Sequence, residues 1–393
     1  MDICKKFYGQ SLAYFDEKGC GYTAQEIAQQ PLMWQNLCKI LKQNEQAIKN
    51  FMTKLQPLND IRIILTGAGS SGFVGSAVAG FVSQNTGINC EAIHTTDIVS
   101  APDTYLSDTP TLLISFARSG NSPESTGAVE YARIKIKNLY EIAVTCDGTS
   151  KLSQITKQSD KSLILVMPEG SNDRGFAMTS SVSCMALAGF AVFNWDKIDE
   201  LTADILRASN QIENSNLAEV AANCATWNFN RAWFLASGPL TALANEAALK
   251  MMELSYGAVV AGHNNSAEFR HGPKTVMRPE TLTIHFISNN TFTARYDLDL
   301  LNELYAERNG NKVVALYDAS NKQVQADVSI PYTSQEYGIG ADIIVGLQCL
   351  VFVQLLAMYK SLNLGVTTDN PSPDGLVNRV VQGVTVYPYP LMP

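Results

Sequence analysis

The feature that most restricts the fold is an alternation that occurs twice. Short apolar runs at 61–66, 111–116, 140–145 and 162–166 alternate with segments of helical spacing after residues 72, 122 and 179. A polar helical stretch at about 197–220 follows, and then the rhythm restarts. The second series has strand candidates at 233–236, 281–287, 313–316 and 327–330, with helices from Leu240, near 294–307 and at 341–360. Strands that read as continuous apolar runs and feed helices belong to parallel sheets covered on both faces. The expectation is an α/β chain with two similarly ordered domains. Residues 1–50 read as a helical N-terminal segment, with Trp34, Leu37, Ile40 and Leu41 on one face. Residues 51–200 form the first domain, 201–368 the second, and 369–393 a Pro-rich tail.

Composition narrows the function classes. With 46% hydrophobic and 17% charged residues the chain supports real cores. A net charge of −8 has the wrong sign for a nucleic-acid partner. The eight cysteines form no CxxC pair, which fits unpaired thiols in a reducing compartment better than disulfides or a zinc site. The start Met1-Asp2-Ile3-Cys4-Lys5-Lys6 lacks a secretory pattern. The apolar run 343–359 is interrupted by Gln348 and Gln354, so it reads as a buried helix and not a membrane span. A cytoplasmic protein with no membrane partner is expected.

Two loops carry the first chemical signal. The run 61–66 leads into Gly67-Ala68-Gly69-Ser70-Ser71-Gly72, a GxGxxG between strand and helix, with Glu91 where a dinucleotide site would place its ribose carboxylate. The next junction, Arg118-Ser119-Gly120-Asn121-Ser122-Pro123, is also rich in hydroxyls. Helix N-termini offer unpaired N–H groups and a favourable dipole, so two adjacent junctions of this kind suit one phosphate monoester. Helix capping by Ser119 and Ser122 is the simpler reading of either loop alone. At a third junction Thr179 is placed to cap the helix that follows, and Met185, Leu187 and Phe190 read as core.

The second signal is a charged stripe. At 100° per residue, Glu246, Lys250 and Glu253 fall within roughly 60° on an otherwise Ala-, Leu- and Met-rich helix. Such spacing commonly makes a solvated ion ladder. On a mostly buried helix it instead points an ionised, positioned carboxylate into a polar cavity, as a general base requires. Of four histidines, His285 reads as structural within an apolar strand, while His94 and His263 are uninformative loop candidates. His271, within Glu268-Phe269-Arg270-His271-Gly272-Pro273, is set in a tight turn and available for presentation to a site.

Taken together, the two Ser-rich loops, the 247–256 stretch ALKMMELSY with its preceding Ala, and the EFRHGP turn resemble tandem sugar-isomerase (SIS) domains. Such domains form the isomerase half of glucosamine-6-phosphate synthase. Within that superfamily, NDRGFAMTSS and the tail DNPSPDGLVNRVVQGVTVYP resemble the galactosamine-6-phosphate deaminase/isomerase branch, also labelled tagatose-6-phosphate ketose/aldose isomerase. The resemblance implies two parallel-sheet αβα sandwiches and phosphate contacts from Ser70, Ser71, Arg118, Ser119 and Ser122. It matches Glu253 to the base that moves a proton between C1 and C2, and Glu246 and Lys250 to its charged neighbours. It matches His271 to a ring-opening residue that the synthase takes from its other subunit, which implies a homodimer with shared active sites.

No metal or redox cofactor is implied, and the partner is a small-molecule sugar phosphate. Two departures stand out: Ala117 replaces a serine of the pattern, and Gln382 falls where the synthase has a tail lysine. Arg379 and His263 are candidates for that lysine's role. The expected activity is conversion of galactosamine 6-phosphate to tagatose 6-phosphate and ammonia. The alternatives are isomerisation of a non-amino sugar phosphate and a non-catalytic sugar-phosphate sensor.

Overall fold

The computed structural model describes residues 2–55, 61–321, 324–332, 337–381 and 383–389. The chain divides into two compact units, each assembled from separated segments. The first-sheet unit comprises Met33–Asp173, Ser180–Asp199 and Gly375–Pro393; the second-sheet unit comprises Met1–Leu32, Arg174–Thr179 and Glu200–Asp374.

In the first, β1 (Arg62–Thr66), β2 (Glu91–Ala92), β3 (Thr111–Ala117), β4 (Leu139–Thr145) and β5 (Ser162–Val166) make one parallel sheet in the order β2-β1-β3-β4-β5. All seven residues of β3 are buried, which is why it reads as an unbroken apolar run. The helix Ser180–Phe193 is buried along its whole length. A Cβ on Gly189 would lie 2.8 Å from the Phe116 ring, so glycine is what lets this helix approach the sheet. Ile64, Leu113 and Ala143 pack with Ala128, Val129 and Ala132 of the helix Pro123–Lys135. Each large apolar side chain buried in this way contributes about 1.5–3 kcal/mol.

The second-sheet unit repeats the plan with β6 (Arg231–Ala236), β7 (Val260–Asn265), β8 (Thr281–Phe286), β9 (Lys312–Asp318) and β10 (Val328–Tyr332). Its order, β7-β6-β8-β9-β10, is again parallel throughout. Numbered by occurrence, both sheets read 2-1-3-4-5, so the repeat suspected from rhythm is present in topology. The helix Ala341–Leu364 is long and apolar enough to cross a membrane, yet 94% of its most apolar window is buried. The two glutamines that interrupt its apolar run find partners there: Gln354 accepts from Gln30 at 2.7 Å, and Gln348 donates to Gln211 at 3.0 Å.

The N-terminal residues are helical, as expected. The Asp369 carboxylate accepts the N–H groups of Tyr22 and Thr23 at the start of the helix Gly21–Ala28. From that helix Glu26 accepts the N–H of Gly175 at 3.1 Å, fastening the NDRG turn.

Two strands escaped the sequence reading, β2 and β7, and both are sheet edges. β2 has only two residues, and β7 (VAGHNN) is partly exposed along its length. An edge strand need not carry the apolar run that double covering imposes, and these two carry none, whereas the opposite edges, β5 and β10, do. His263 therefore lies in an edge strand and not in a loop.

Candidate active site

In a sheet of order 2-1-3-4-5 the connections leave in opposite directions from strands 1 and 3, and ligands collect beyond the carboxyl ends of that pair. In the first sheet these are β1 and β3, paired from Arg62 with Thr111 to Thr66 with Ser115. Both Ser-rich loops sit there. Gly69, at φ 54°, has left-handed backbone, and a Cβ on Gly67 would lie 2.5 Å from the Ser71 carbonyl carbon. The two glycines allow the helix Ser70–Thr86 to begin immediately after the strand, with Ser70 and Ser71 in its first turn and buried.

The second loop combines both readings of its serines. Ser122 caps the helix Pro123–Lys135, accepting the Ser125 N–H at 3.3 Å, and its hydroxyl lies 2.8 Å from that of Ser125. The Ser119 hydroxyl accepts the Asn121 N–H at 3.4 Å. Arg118 follows the last residue of β3, mostly buried, and its guanidinium donates to the Arg379 carbonyl at 2.8 Å. The Arg379 guanidinium donates in turn to the carbonyl of Asp173 and to Asn172 Oδ1. At the third junction the Asp173 carboxylate accepts the N–H groups of Ser180 and Ser181 at 3.0 and 2.9 Å, an anchor seven residues upstream of the helix. Arg379 thus lies beside Arg118, holding the 172–173 turn. Gln382 lies outside the described residues.

Glu91 does not serve as a ribose partner. Arg62 grips it with two bonds of 2.6 and 2.8 Å, which holds the Glu91 carboxyl below its usual range. This ion pair between neighbouring strands accounts for the acid that made GxGxxG look like a dinucleotide fingerprint.

The charged stripe lies in the second-sheet unit on the helix Leu240–Leu254. It is not a solvated ladder. The Lys250 side chain is 0% exposed and that of Glu246 1%, while that of Glu253 is 25% exposed. The Lys250 ammonium lies 3.2 Å from Glu246 and donates a hydrogen bond to Glu253. Burial alone would lower the Lys250 pKa; the carboxylates of Glu246 and Glu253 override it and hold the ammonium above its ordinary value. The result is one accessible carboxylate whose position is set by a buried cation, itself balanced by a second, buried carboxylate.

His271 ends the short turn Glu268–Arg270 and is followed by Gly272 at φ 127° and Pro273. Ion pairs on both sides tie this turn to the helix Thr293–Ala306. Arg270 bonds Glu303 at 2.7 Å and Asp299 at 3.0 Å, and Lys274 pairs with Glu303 and Glu307. The turn is held while His271 itself is exposed. Of the other histidines, His94 packs its ring edge-on to Phe73 and against Gly72 in the first turn of the Ser70 helix. His285 is fully buried, and burial pushes its pKa down to about 3.

Fold and site together define a doubly wound α/β protein with a hydroxyl-lined switch point and a helix carrying a Glu–Lys–Glu ion-pair stripe. The chain belongs to the SIS domain family, whose domain matches residues 59–194 and 227–358. It is 38% identical over 372 residues to D-galactosamine-6-phosphate deaminase AgaS of Escherichia coli O157:H7, covering 94% of this chain and 96% of that one. The protein of the same name from Shewanella sp. (strain ANA-3) is 37% identical over 375 residues, covering 94% of this chain and 93% of that one. The crystal structure of tagatose-6-phosphate ketose/aldose isomerase from Escherichia coli superposes with a TM-score of 0.86 at 35% identity, over 94% of this chain and 97% of that one. At 17% identity and a TM-score of 0.72, the C-terminal domain of glucosamine-fructose-6-phosphate aminotransferase from Francisella tularensis shares the fold. The resemblance read from the motifs is thereby borne out at the level of family and architecture.

Proposed function

We propose that this chain is a D-galactosamine-6-phosphate deaminase that releases ammonia and forms tagatose 6-phosphate. The observation that carries the proposal is the setting of Glu253, a reachable carboxylate fixed by a buried lysine. Near-full-length likeness to proteins named as this deaminase supports the substrate.

Ser70, Ser71, Ser119, Ser122 and Arg118 hold the phosphate through hydroxyls, helix N-termini and one guanidinium. His271 relays a proton between O1 and the ring oxygen to open the sugar. Glu253 takes the C2 proton of the open aldose while O1 gains a proton, giving an enaminol. Glu253 then returns the proton to C1, leaving CH2OH beside a C2 iminium. Water adds at C2 and ammonia departs, leaving the ketose 6-phosphate. Lys250 orients Glu253 and offsets negative charge that develops on the intermediate, and Glu246 keeps Lys250 ionised. General acid–base help of this kind supplies ~10²–10⁴-fold, and positioning must supply much of the rest. The reading includes a cytoplasmic homodimer in which the exposed His271 serves the partner's site.

Incubation with galactosamine 6-phosphate, with ammonia and tagatose 6-phosphate both measured, tests the proposal. Equimolar products are expected; neither product would end it. A second reading, isomerisation of a non-amino aldose phosphate, is favoured by the name of the Escherichia coli structural relative. The same C2-to-C1 transfer serves both reactions, and turnover of such a substrate at an equal rate, without ammonia, would select it.

A further inference from the structure

The second sheet has a switch point of its own, and it is filled from within. β6 and β8 are its central pair, followed by the helices Leu240–Leu254 and Thr293–Ala306, as β1 and β3 are followed by helices in the first sheet. Beyond their carboxyl ends, the Asp297 carboxylate accepts three hydrogen bonds. The hydroxyls of Ser237, after β6, and Ser266, after β7, each donate at 2.6 Å, and the Ser288 N–H, after β8, donates at 3.0 Å. Asp297 is 1% exposed, and all three serines are buried. Burial pushes the Asp297 carboxyl up, while these three donors draw it back toward the ionised form.

Three donors from the ends of three neighbouring strands, two hydroxyls and a backbone N–H, converge on one oxyanion. That is the donor chemistry the first sheet's switch point also offers, but here a side chain of the same unit receives it. We infer that the second switch point is an oxyanion site closed by the chain's own Asp297 carboxylate, so that each chain takes one phosphate monoester and not two. The count of one rests on reading the Ser71 and Arg118 loops as the open site. The closure of the second site rests on Asp297 alone.

The test compares inorganic phosphate binding to the full-length wild type and to Asp297→Ala by equilibrium dialysis, with thermal melts alongside. The variant is expected to bind one more equivalent of phosphate per chain than the wild type. Its Tm is expected to climb by about 3–5 °C beyond the wild-type response in about 20 mM phosphate. The increment is what reads: a wild type that binds no phosphate would sink the Ser71 site while leaving the increment intact. Asp297→Asn keeps the volume filled and is expected to lose stability without gaining the extra equivalent. A folded Asp297→Ala chain with unchanged stoichiometry overturns the inference. So does rescue of its stability by formate with no phosphate bound, because that marks a hole of carboxylate size only. If the alanine variant folds only when phosphate is present, that dependence supports the inference. If it folds in neither condition, Asp297→Ser is read by the same increment; a serine variant without it, or one unfolded even in phosphate, also overturns the inference.

Discussion

The two sheets share one strand order and open at the same place, yet the contents of that place differ. At the first switch point serines and the guanidinium of Arg118 stand at the starts of two helices. At the second, serines from three strand ends are already satisfied by Asp297. The fold supplies the location twice, and in our reading the Asp297 carboxylate fills the second. The unit whose switch point is filled is the one that carries the Glu246–Lys250–Glu253 helix. In our reading one copy of the fold carries the phosphate-binding residues and the other the acid–base residues.

Kinetics should break that division if it is wrong. Glu253→Gln is expected to lower kcat by ~10²–10⁴-fold with Tm and phosphate binding intact; full activity would remove Glu253 as base. Lys250→Ala strands the buried Glu246 carboxylate, so a loss of ~3–5 kcal/mol in chemical denaturation is expected beside the loss of turnover. The double variant Glu246→Gln, Lys250→Met should regain most of that stability without regaining activity.

Arg118→Ala should act on the other side of the division, raising KM roughly 10–100-fold, the equivalent of a charged hydrogen bond worth about 1.5–3 kcal/mol. Its counterpart at the filled site, Ser237→Ala, should leave KM unchanged; a parallel rise in both would dissolve the contrast between the switch points. The smallest effect concerns acid. Strands β1–β5 contain no histidine, whereas β8 buries His285, whose pKa is pushed down to about 3. Unfolded chains protonate their histidines below about pH 6.5. The unfolded state therefore binds the extra proton between pH 6.5 and about 3, and stability falls as pH drops through that window. The slope reaches at most ~1.4 kcal/mol per pH unit from this residue, and His285→Leu should flatten it in pH-dependent melts.

What could be read in advance follows from how locally each feature is encoded. Central strands are covered on both faces, so β1, β3 and β4 announced themselves as apolar runs; β5, at an edge, was read from its run SLILV all the same. β2 and β7, also at edges, were not. The helix stripe was legible because Glu246, Lys250 and Glu253 lie within one helix. Its burial, which separates a positioned base from a surface ladder, was not legible, since it depends on what packs around that helix. Asp297 left no motif at all: its donors, Ser237, Ser266 and Ser288, come from three separate strand ends. The same holds for Arg379, whose carbonyl meets Arg118 across 261 positions of sequence.

That last bond also bears on synthesis. The first-sheet unit begins near residue 33 and takes its final segment from residue 375 onward. There Val386 fits against Gly127, and the Tyr387 carbonyl accepts the Tyr131 hydroxyl. A ribosome making this chain therefore finishes the second-sheet unit's sequence before the first-sheet unit has all its parts. A truncated product ending near residue 374 would keep every strand of both sheets and both Ser-rich loops. It would nevertheless leave Arg118 without the carbonyl that holds it.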